Sequence, residues 1–470
     1  MTTCNAVGKH SVILLAALVL ACGATSAQTQ KQKEMAPEGS TPKDFVLPQK
    51  TIETLDNGLR ISSVQFGTVP KATIAVVVSA GNLNEGNQTW LADLTGDFLL
   101  EGTTSRSAEG IAREAAAMGG QVTVNVGEDL TTISGDVLAE YAPQMAALLA
   151  DIVQNPRFPN EELDRLTRDR LRQLSVAKIQ PEQMAVAAFR EALYGDHPYG
   201  NLLPEESQLQ NYTVQDVRAF FDGNFGAART HVFIAGRFDS SATITAIRQA
   251  FADWREGPAT LVNVPKPASG KVAVDVIDRP DASQSNLYLG LPIISPGHDD
   301  WIPLQISNTL LGGFFSSRIT RNIREDKGYT YSPYSTLSVR YRDGYWAQVA
   351  AVTTDVTGPA LEEIFKEIRT LQETPPSIEE LDGVKNYSAG VFVLQNSTRG
   401  GIINVLSYLD HHDLPDTYLS NYVSEVFAIT PEQVSEIANE YLQEDEMTVI
   451  VVGDRSQVSE QVQPWIGSDE

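Results

Sequence analysis

Cysteine is almost absent from this chain of 470 residues, because its two cysteines, Cys4 and Cys22, both lie near the N-terminus. The rest of the chain therefore has no disulfide, no cysteine nucleophile and no cysteine-based zinc site. Histidine is also scarce, so any metal site or histidine-dependent mechanism must draw on six residues. They are His10, His197, His231, His298, His411 and His412.

Basic residues are few, since 35 Lys and Arg stand against 60 Asp and Glu, which gives a net charge of −25 at pH 7. Nucleic acids and anionic lipids bind basic surfaces, so this balance excludes both as general partners. Long apolar runs are missing from the rest of the chain. After the N-terminal run, no apolar segment reaches the ~18 residues of a membrane span. The length predicts about two to four domains.

The N-terminus has the pattern of an export signal. An apolar run of 11 residues, Val12–Cys22, is too short to span a bilayer and is typical of a signal-peptide core. Its end, Val-Leu-Ala-Cys, resembles the bacterial lipobox, which predicts a lipoprotein-type signal peptide over residues 1–21 and lipidation of Cys22. Cleavage after the small residues ending at Ala27 is the alternative. Both routes predict a protein of the periplasm or cell envelope, in which residues 22–48 form a tether.

The body of the chain is duplicated. The four residues Glu161–Asp164 recur as Glu379–Asp382, and a motif that starts at Thr213 recurs at Thr430. The spacing between the two motifs is 52 residues in one copy and 51 in the other, and 23 residues later each copy closes an apolar strand with glycine. The two motifs and the glycine-closed strand recur in the same order at nearly equal spacings. They predict two homologous halves of roughly 210 residues, a period far longer than that of solenoid repeats.

The halves are predicted to span residues 49–255 and 272–470, joined by a linker rich in proline and glycine at residues 256–271. Each half alternates hairpin-like strands with amphipathic helices, so the predicted class is α+β, with an antiparallel-rich sheet and helices packed on one face. In the second half the pattern predicts one helix over Pro303–Ile323 and a strand over Tyr329–Tyr341.

Several short motifs follow one another along both halves. They are Leu55–Arg60, Ser79–Gly81, Leu99–Thr103, Gly119–Gly120 and Tyr194–Gly200, then Ser317–Ile319 and Arg324–Ser332. With these motifs the chain resembles the pitrilysin/insulinase family, inverted-motif zinc peptidases that include the mitochondrial processing peptidase. The resemblance covers about residues 49–456 and implies a processing-peptidase-like fold that assembles as a clamshell with a partner.

The resemblance fails at the zinc site. Catalytic members carry H-x-x-E-H on a first-half helix, where this chain has Asp93, Gly96 and Asp97. The family's third ligand, a glutamate on a later helix, corresponds to Leu174. Zinc catalysis needs three protein ligands and a base that accepts the proton of the attacking water. The resemblance therefore implies that this chain holds no metal.

Three polar features of the sequence are candidates for chemistry. Asp93 and Asp97 are spaced i and i+4, but an acidic solvent-exposed helix face is favoured over a metal site, because no third ligand lies nearby in sequence. The run Asp410–Asp413 includes two histidines, but adjacent helix residues point about 100° apart and do not easily share an ion. Surface or loop residues are favoured there. His197, which precedes Pro198, is predicted to be a structural histidine in a turn.

The second half keeps one feature of the family, since Arg324 and Tyr331, seven residues apart, match its Arg/Tyr pair. In two-half members this pair reaches across to the zinc site. Arginine suits a peptide carbonyl or carboxylate, and a tyrosine hydroxyl can donate to the oxyanion that forms when water attacks. Arg324 is predicted to end a helix, Gly328 to permit a turn and Tyr329–Tyr331 to begin a strand. Without a functional role, Arg324 would pair with an acid such as Glu325 and Tyr331 would pack in the sheet.

Three functions remain open. In the first, this chain is the non-catalytic subunit of an exported heterodimeric metalloendopeptidase, lending Arg324 and Tyr331 to a peptide substrate bound at the zinc of a homologous partner. A lipid on Cys22 would attach it to a membrane. In the second, it is a non-enzymatic peptide-binding or scaffold protein of the same fold. In the third, it is a stand-alone enzyme with unorthodox ligands, which requires bound metal.

Overall fold

The computed structural model describes residue 43 and residues 45–260 and 274–465. The predicted signal peptide (1–21), Cys22, most of the tether and most of the linker lie outside the described residues. All described residues belong to one compact unit that starts at Lys43. Within these ranges, none of the helices is both long enough and apolar enough to cross a membrane.

Six strands of the first half form one sheet, in the spatial order β1-β2-β6-β3-β5-β4. Only the β2/β6 pair is parallel. The hairpin between β1 and β2 turns at Gly58, whose φ of +85° favours glycine. The strands are β1 (Lys50–Thr54), β2 (Arg60–Gln65), β3 (Lys71–Val78), β4 (Val122–Val126), β5 (Thr131–Leu138) and β6 (Thr230–Gly236).

Five strands of the second half form the other sheet, in the order β7-β11-β8-β10-β9. Apart from β1, which has no counterpart among the described residues, this is the strand order of the first sheet, again with a single parallel pair, β7/β11. The strands are β7 (Val274–Asp278), β8 (Gln284–Pro292), β9 (Tyr334–Arg340), β10 (Asp343–Thr353) and β11 (Thr448–Gly453). The predicted α+β class with two homologous halves is confirmed.

Helices complete each half. The first half contains α1 (Leu91–Leu99), α2 (Ala108–Ala117), α3 (Ala142–Gln154), α4 (Leu163–Ala177), α5 (Pro181–Tyr194), α6 (Glu206–Asn211), α7 (Val214–Asn224) and α8 (Ser240–Phe251). The second contains α9 (Trp301–Asn308), the single turn α10 (Arg318–Thr320), α11 (Thr357–Glu373), α12 (Ile378–Gln395), α13 (Arg399–His411), α14 (Thr417–Ala428), α15 (Pro431–Tyr441) and α16 (Arg455–Val462). The two threonines of the repeated motif cap equivalent helices, since Thr213 accepts from the Asp216 N–H and Thr430 from the Gln433 N–H.

One predicted helix and one predicted strand are shorter than expected. The single helix over Pro303–Ile323 is interrupted, because α9 widens into a π turn at Thr309–Gly313 and Phe314 is extended. A Cβ on Gly312 would lie 2.6 Å from Ser335 Oγ, so this turn packs too closely on β9 for a larger residue. The strand predicted to begin at Tyr329 begins at Tyr334 instead, directly after Pro333, which has no N–H to donate to a ladder.

The halves exchange one helix each. Each half packs its own helices on one face of its sheet, as predicted, and the opposite face receives a helix from the other half. Phe189 of α5 is fully buried against Tyr288 and Tyr345 of the second sheet. In the reverse direction, α13 places Ile402, Ile403 and Leu406 against the first sheet, on β2, β3 and β6. The two halves are therefore joined by two buried apolar clusters, one under each exchanged helix.

Candidate functional site

A protein cation lies against the positions where the family's zinc ligands are missing. Arg170, on α4, directs Nε to Asp97 Oδ2 at 2.7 Å and Nη2 to Asp97 Oδ1 at 2.9 Å. Its Nη1 donates to Asp93 Oδ1 at 3.2 Å, and Nη2 also donates to the Asp93 carbonyl at 3.0 Å. The guanidinium is mostly buried, with 14% of the side chain exposed. The expectation of a solvent-exposed acidic face is therefore wrong, because these carboxylates form a half-buried ion-pair network.

The Asp97 carboxyl group is partly removed from water in this arrangement, and its pKa changes as a result. Burial raises the pKa of its carboxyl group, and the negative charges of Asp93 and Asp169 add to the effect, while Arg170 opposes it. Without the guanidinium, two carboxylates one helical turn apart would repel each other in a partly desolvated position. Arg170 therefore balances the acidic pair that replaces the histidines.

The other two degenerate positions are closed by packing. A Cβ on Gly96 would lie 2.4 Å from Cγ2 of Val126, a side chain of the edge strand β4, so a glutamate fits there only if Val126 shifts. Leu174 is fully buried in the first-half core. Among the described residues, no three His, Cys, Asp or Glu side chains are placed to hold one metal ion. The residues present do not fit the family's zinc.

A buried glutamate that the sequence analysis missed holds the start of α1. Glu85 accepts hydrogen bonds from the backbone N–H groups of Trp90 and Ala92, both at 2.9 Å. Asn82 links it to the acidic pair, donating to Asp93 Oδ2 at 2.7 Å and to Glu85 Oε2 at 3.3 Å. Burial raises the pKa of Glu85 to about 8 despite these bonds. In the sequence, the only indication of this cap is that Glu85 lies five residues before Trp90, and such a spacing is a weak predictor.

The Arg/Tyr pair lies on the surface of the second half. Arg324 is in a π turn at Arg321–Asp326, and Tyr331 lies in the loop before β9, where 81% of it is exposed. The Arg324 guanidinium lies 4.0 Å from the ring centre of Phe315 and 5.4 Å from that of Tyr331. The two residues therefore do lie side by side. Phe315 is the third member of the cluster, and the sequence analysis missed it.

The two contacts expected for a pair without a functional role are not found among the described residues. Tyr331 does not begin a strand and does not pack in the sheet, contrary to both expectations. Within the described part of the chain, no carboxylate lies within 4.0 Å of Arg324, so it does not pair with Glu325. The pair is a cation held between two exposed aromatic rings.

The run Asp410–Asp413 was expected to be surface or loop, which is wrong for its first two residues. Asp410 lies at the contact between the halves, where Oδ2 accepts from Arg60 Nη2 at 2.8 Å and lies 3.1 Å from His231 Nδ1. His411 Nε2 lies 3.3 Å from Asp129 Oδ2. The separations in sequence are too large for any local pattern to reveal these contacts, since 350 residues separate Arg60 from Asp410.

His197 behaves as a structural turn histidine. Its side chain is 7% exposed, and its Nδ1 accepts from the backbone N–H of Tyr199 at 3.2 Å. It therefore caps the short turn Pro198–Gly200.

Comparison with known proteins identifies the family of this chain. The family model described as insulinase (peptidase family M16) matches residues 60–205, and the one described as peptidase M16 inactive domain matches residues 211–388. The chain is 26% identical over 425 residues to an uncharacterized zinc protease of Mycobacterium tuberculosis, covering 85% of this chain and 92% of that one. It is 25% identical over 401 residues to the uncharacterized zinc protease YmxG of Bacillus subtilis, covering 83% and 95%.

Solved structures show the same fold. A peptidase M16 inactive domain from Pseudomonas fluorescens superposes with a TM-score of 0.81 at 24% identity, over 86% of this chain and 98% of that one. A protease from Helicobacter pylori superposes with a TM-score of 0.80 at 17% identity, over 87% and 100%. With family matches across both halves, this chain belongs to the insulinase family of peptidases, family M16.

Proposed function

We propose that this chain is the non-catalytic subunit of a heterodimeric zinc peptidase, and that it lends Arg324 and Tyr331 to a peptide held at the zinc of a homologous partner. The single observation that carries the proposal is that the half-buried Arg324 and the exposed Tyr331 already lie side by side, without a carboxylate partner for Arg324 in the described residues. Arg324 would bind a carbonyl or carboxylate of the peptide. The Tyr331 hydroxyl would donate to the oxyanion that develops as water adds to the amide.

The degenerate site of the first half supports the same assignment of roles, in which the partner supplies the zinc and this chain supplies the substrate-binding pair. Arg170 binds both carboxylates of the former ligand helix, and Val126 blocks the position of the missing general base. A chain that keeps the substrate-binding pair and has closed its own metal site needs its catalytic groups from another molecule. The degenerate half would then serve as a wall of the closed chamber.

Export is part of the proposal. The apolar run Val12–Cys22 would direct the chain out of the cytoplasm, and a lipid on Cys22 would attach it to the cell envelope. Replacement of this cysteine, Cys22→Ser, should abolish incorporation of labelled palmitate and release the chain from membranes. A Cys22→Ser chain that still carries the label would contradict lipidation at this residue.

The activity test uses the full mature chain mixed with a homologue that carries H-x-x-E-H. Neither chain alone should cleave an unfolded peptide rapidly, and the mixture should. Tyr331→Phe should lower kcat of the mixture by about 100-fold, the usual cost of one lost oxyanion donor. Arg324→Ala should lower kcat/KM by a similar factor, with part of the loss restored by Arg324→Lys.

The matched control is Arg113→Ala, because Arg113 is an exposed arginine on α2 whose side chain pairs, among the described residues, only with Glu109. It should leave the rate of the mixture unchanged. Size-exclusion chromatography verifies that every variant still associates with the partner. Unchanged rates for Arg324→Ala and Tyr331→Phe would refute the proposed role, as expected for a scaffold, and stoichiometric zinc with turnover in the isolated chain would favour a stand-alone enzyme.

A further inference from the structure

Arg324 differs from a neighbouring arginine in the kind of group that it contacts. Arg318, in the preceding turn α10, directs Nε and Nη2 to the two carboxylate oxygens of Glu380, at 2.8 and 2.7 Å. The chain has 60 acidic residues against 35 basic ones, so carboxylates are plentiful. Glu325 and Asp326 directly follow Arg324, and both are exposed. Even so, among the described residues no carboxylate lies within 4.0 Å of the Arg324 guanidinium.

The Arg324 guanidinium contacts aromatic rings instead. Its Cζ atom lies 4.0 Å from the ring centre of Phe315 and 5.4 Å from that of Tyr331. Both distances are typical of cation–π interactions, and Phe315 makes the closer contact. Arg324 is half-buried, whereas 64% of Phe315 is exposed. Because so little of Phe315 is buried, its contact with Arg324 is not explained by packing of the hydrophobic core.

The backbone that carries Phe315 is held in place by its surroundings. It follows the π turn at Thr309–Gly313, which packs closely on β9. Phe314 leaves this turn in an extended conformation, and its ring centre lies 5.0 Å from that of Tyr387 on α12. Phe315 is the next residue, so its ring extends from a segment that contacts both β9 and α12. The position of this ring beside the guanidinium is therefore fixed by the fold.

An aromatic ring holds an arginine differently from a carboxylate. A carboxylate occupies N–H donors and neutralises the charge, as Glu380 does for Arg318. A ring attracts the cation without accepting its N–H groups in conventional hydrogen bonds, so the five donors of the guanidinium stay available. In the part of the chain that the structure describes, the Arg324 side chain donates no hydrogen bond. The ring contact therefore restrains Arg324 and spares the donors that a peptide carbonyl or carboxylate needs.

We propose that Phe315 is the positioning residue of Arg324: its ring holds the guanidinium in place and leaves the N–H donors free for the peptide substrate. The inference rests on the proposed function, because Phe315 acts on the reaction only through Arg324. An arginine that is already restrained loses less conformational freedom when the substrate binds, so the contact favours substrate binding. A carboxylate at the same position would restrain the side chain equally well but would compete with the peptide for its donors.

The test measures kcat and KM of the full mature chain mixed with a homologue that carries H-x-x-E-H. Phe315→Leu keeps an apolar side chain but removes the π face, so kcat/KM should fall about fivefold, mainly through a higher KM. Phe315→Glu supplies a carboxylate that captures the guanidinium, so kcat/KM should fall at least twentyfold. Phe315→Tyr restores a ring and should stay within about twofold of the unmodified chain.

Two further measurements separate positioning from a merely structural role. In the Arg324→Ala background, Phe315→Leu should cause no further loss, because the ring then has no cation to hold. In the isolated chain, the Nε–H proton of Arg324 should resonate upfield of those of exposed arginines because of the ring current, and Phe315→Leu should abolish this shift. The matched control is Ile52→Glu, at an apolar residue of β1 that is 57% exposed, and it should leave the rate unchanged.

The outcomes distinguish this inference from the proposed function. Equal losses for Phe315→Leu and Phe315→Glu, a Phe315→Leu loss that persists in the Arg324→Ala background, or an unshifted Arg324 resonance would overturn the role of Phe315. The same holds if Phe315→Leu keeps the full rate while Arg324→Ala does not. If Arg324→Ala itself keeps the full rate, the proposed function is refuted and this inference falls with it.

Discussion

The guanidinium of Arg170 binds both carboxylate oxygens of Asp97, at 2.7 and 2.9 Å, across 73 residues of sequence. In the catalytic members that this chain resembles, a metal-binding histidine occupies the position of Asp97. Here a fixed protein cation binds the carboxylate that replaces it. The negative charges of Asp93 and Asp97 are therefore balanced by a group of the protein itself.

Removing this cation should destabilise the first half. Arg170→Met leaves Asp93 and Asp97 facing each other without a counter-charge, so we expect a loss of about 2 kcal/mol in the free energy of unfolding, measured by urea denaturation. The control is Arg172→Met two residues later, where 75% of the side chain is exposed and it pairs with Asp169. This control should change stability by less than about 0.5 kcal/mol. A loss that is equal in both variants would contradict a special role for Arg170.

Gly96 should be needed for packing rather than flexibility. Gly96→Ala places a Cβ 2.4 Å from Val126 Cγ2, so we expect destabilisation by about 1–3 kcal/mol even though alanine favours helix. Combining it with Val126→Ala should recover part of that loss in a double-mutant cycle. Gly390→Ala in α12, where nothing lies within 4 Å of the new Cβ, should instead stabilise by about 1 kcal/mol. A stabilised Gly96→Ala protein would show that the site is open.

The stability of the protein should decrease in mild acid. Burial and the charge of His411 lower the pKa of His412 to about 4, although Asp129 opposes them. Burial also lowers the pKa of His231, despite the neighbouring Asp410. Histidine in the unfolded chain takes up a proton near pH 6.5, so the unfolded state gains protons first. The free energy of unfolding should then fall between about pH 6.5 and 4, by about 3 kcal/mol for His412 alone.

At still lower pH a further loss is expected. The pKa of Asp410 lies below its usual value, because the hydrogen bond and charge of His231 and the charge of Arg60 outweigh the effect of burial. Its stabilising contribution is present above the unfolded pKa and disappears as the pH falls through the folded one. Urea denaturation at a series of pH values measures both effects. His412→Phe should flatten the curve between pH 6.5 and 4, and a curve identical to that of the unmodified chain would contradict the assignment.

The halves should be coupled through Phe189. This first-half side chain is fully buried, with its ring centre 5.2 Å from that of Tyr345 in the second half. Phe189→Ala should cost about 3–5 kcal/mol. A double-mutant cycle with Tyr345→Leu should give a coupling of about 1 kcal/mol, and a cycle with the buried Phe365→Ala in the second-half core should give none. Equal coupling in both cycles would mean that Phe189 acts through general stability and not through this contact.

Local patterns in the sequence were sufficient for much of the fold. The repeated spacing and the alternation of hairpin-like strands with amphipathic helices predicted elements that the structure contains, because hydrophobic periodicity depends on residues close together in sequence. The interrupted helix after α9 could not be predicted in this way. Its π turn depends on the close approach of Gly312 to Ser335, and a propensity pattern contains no information about that distance.

By itself, the sequence determined that the H-x-x-E-H ligands are absent and that Arg324 and Tyr331 are present, since residue identity is sufficient for both statements. Only the tertiary structure decided what fills the degenerate site, because Arg170 reaches Asp97 through the packing of α4 on α1. It likewise decided that Arg324 lies against two exposed rings and that the halves exchange helices. Each of these contacts joins residues whose distance in space is set by the folded chain and not by their separation in sequence.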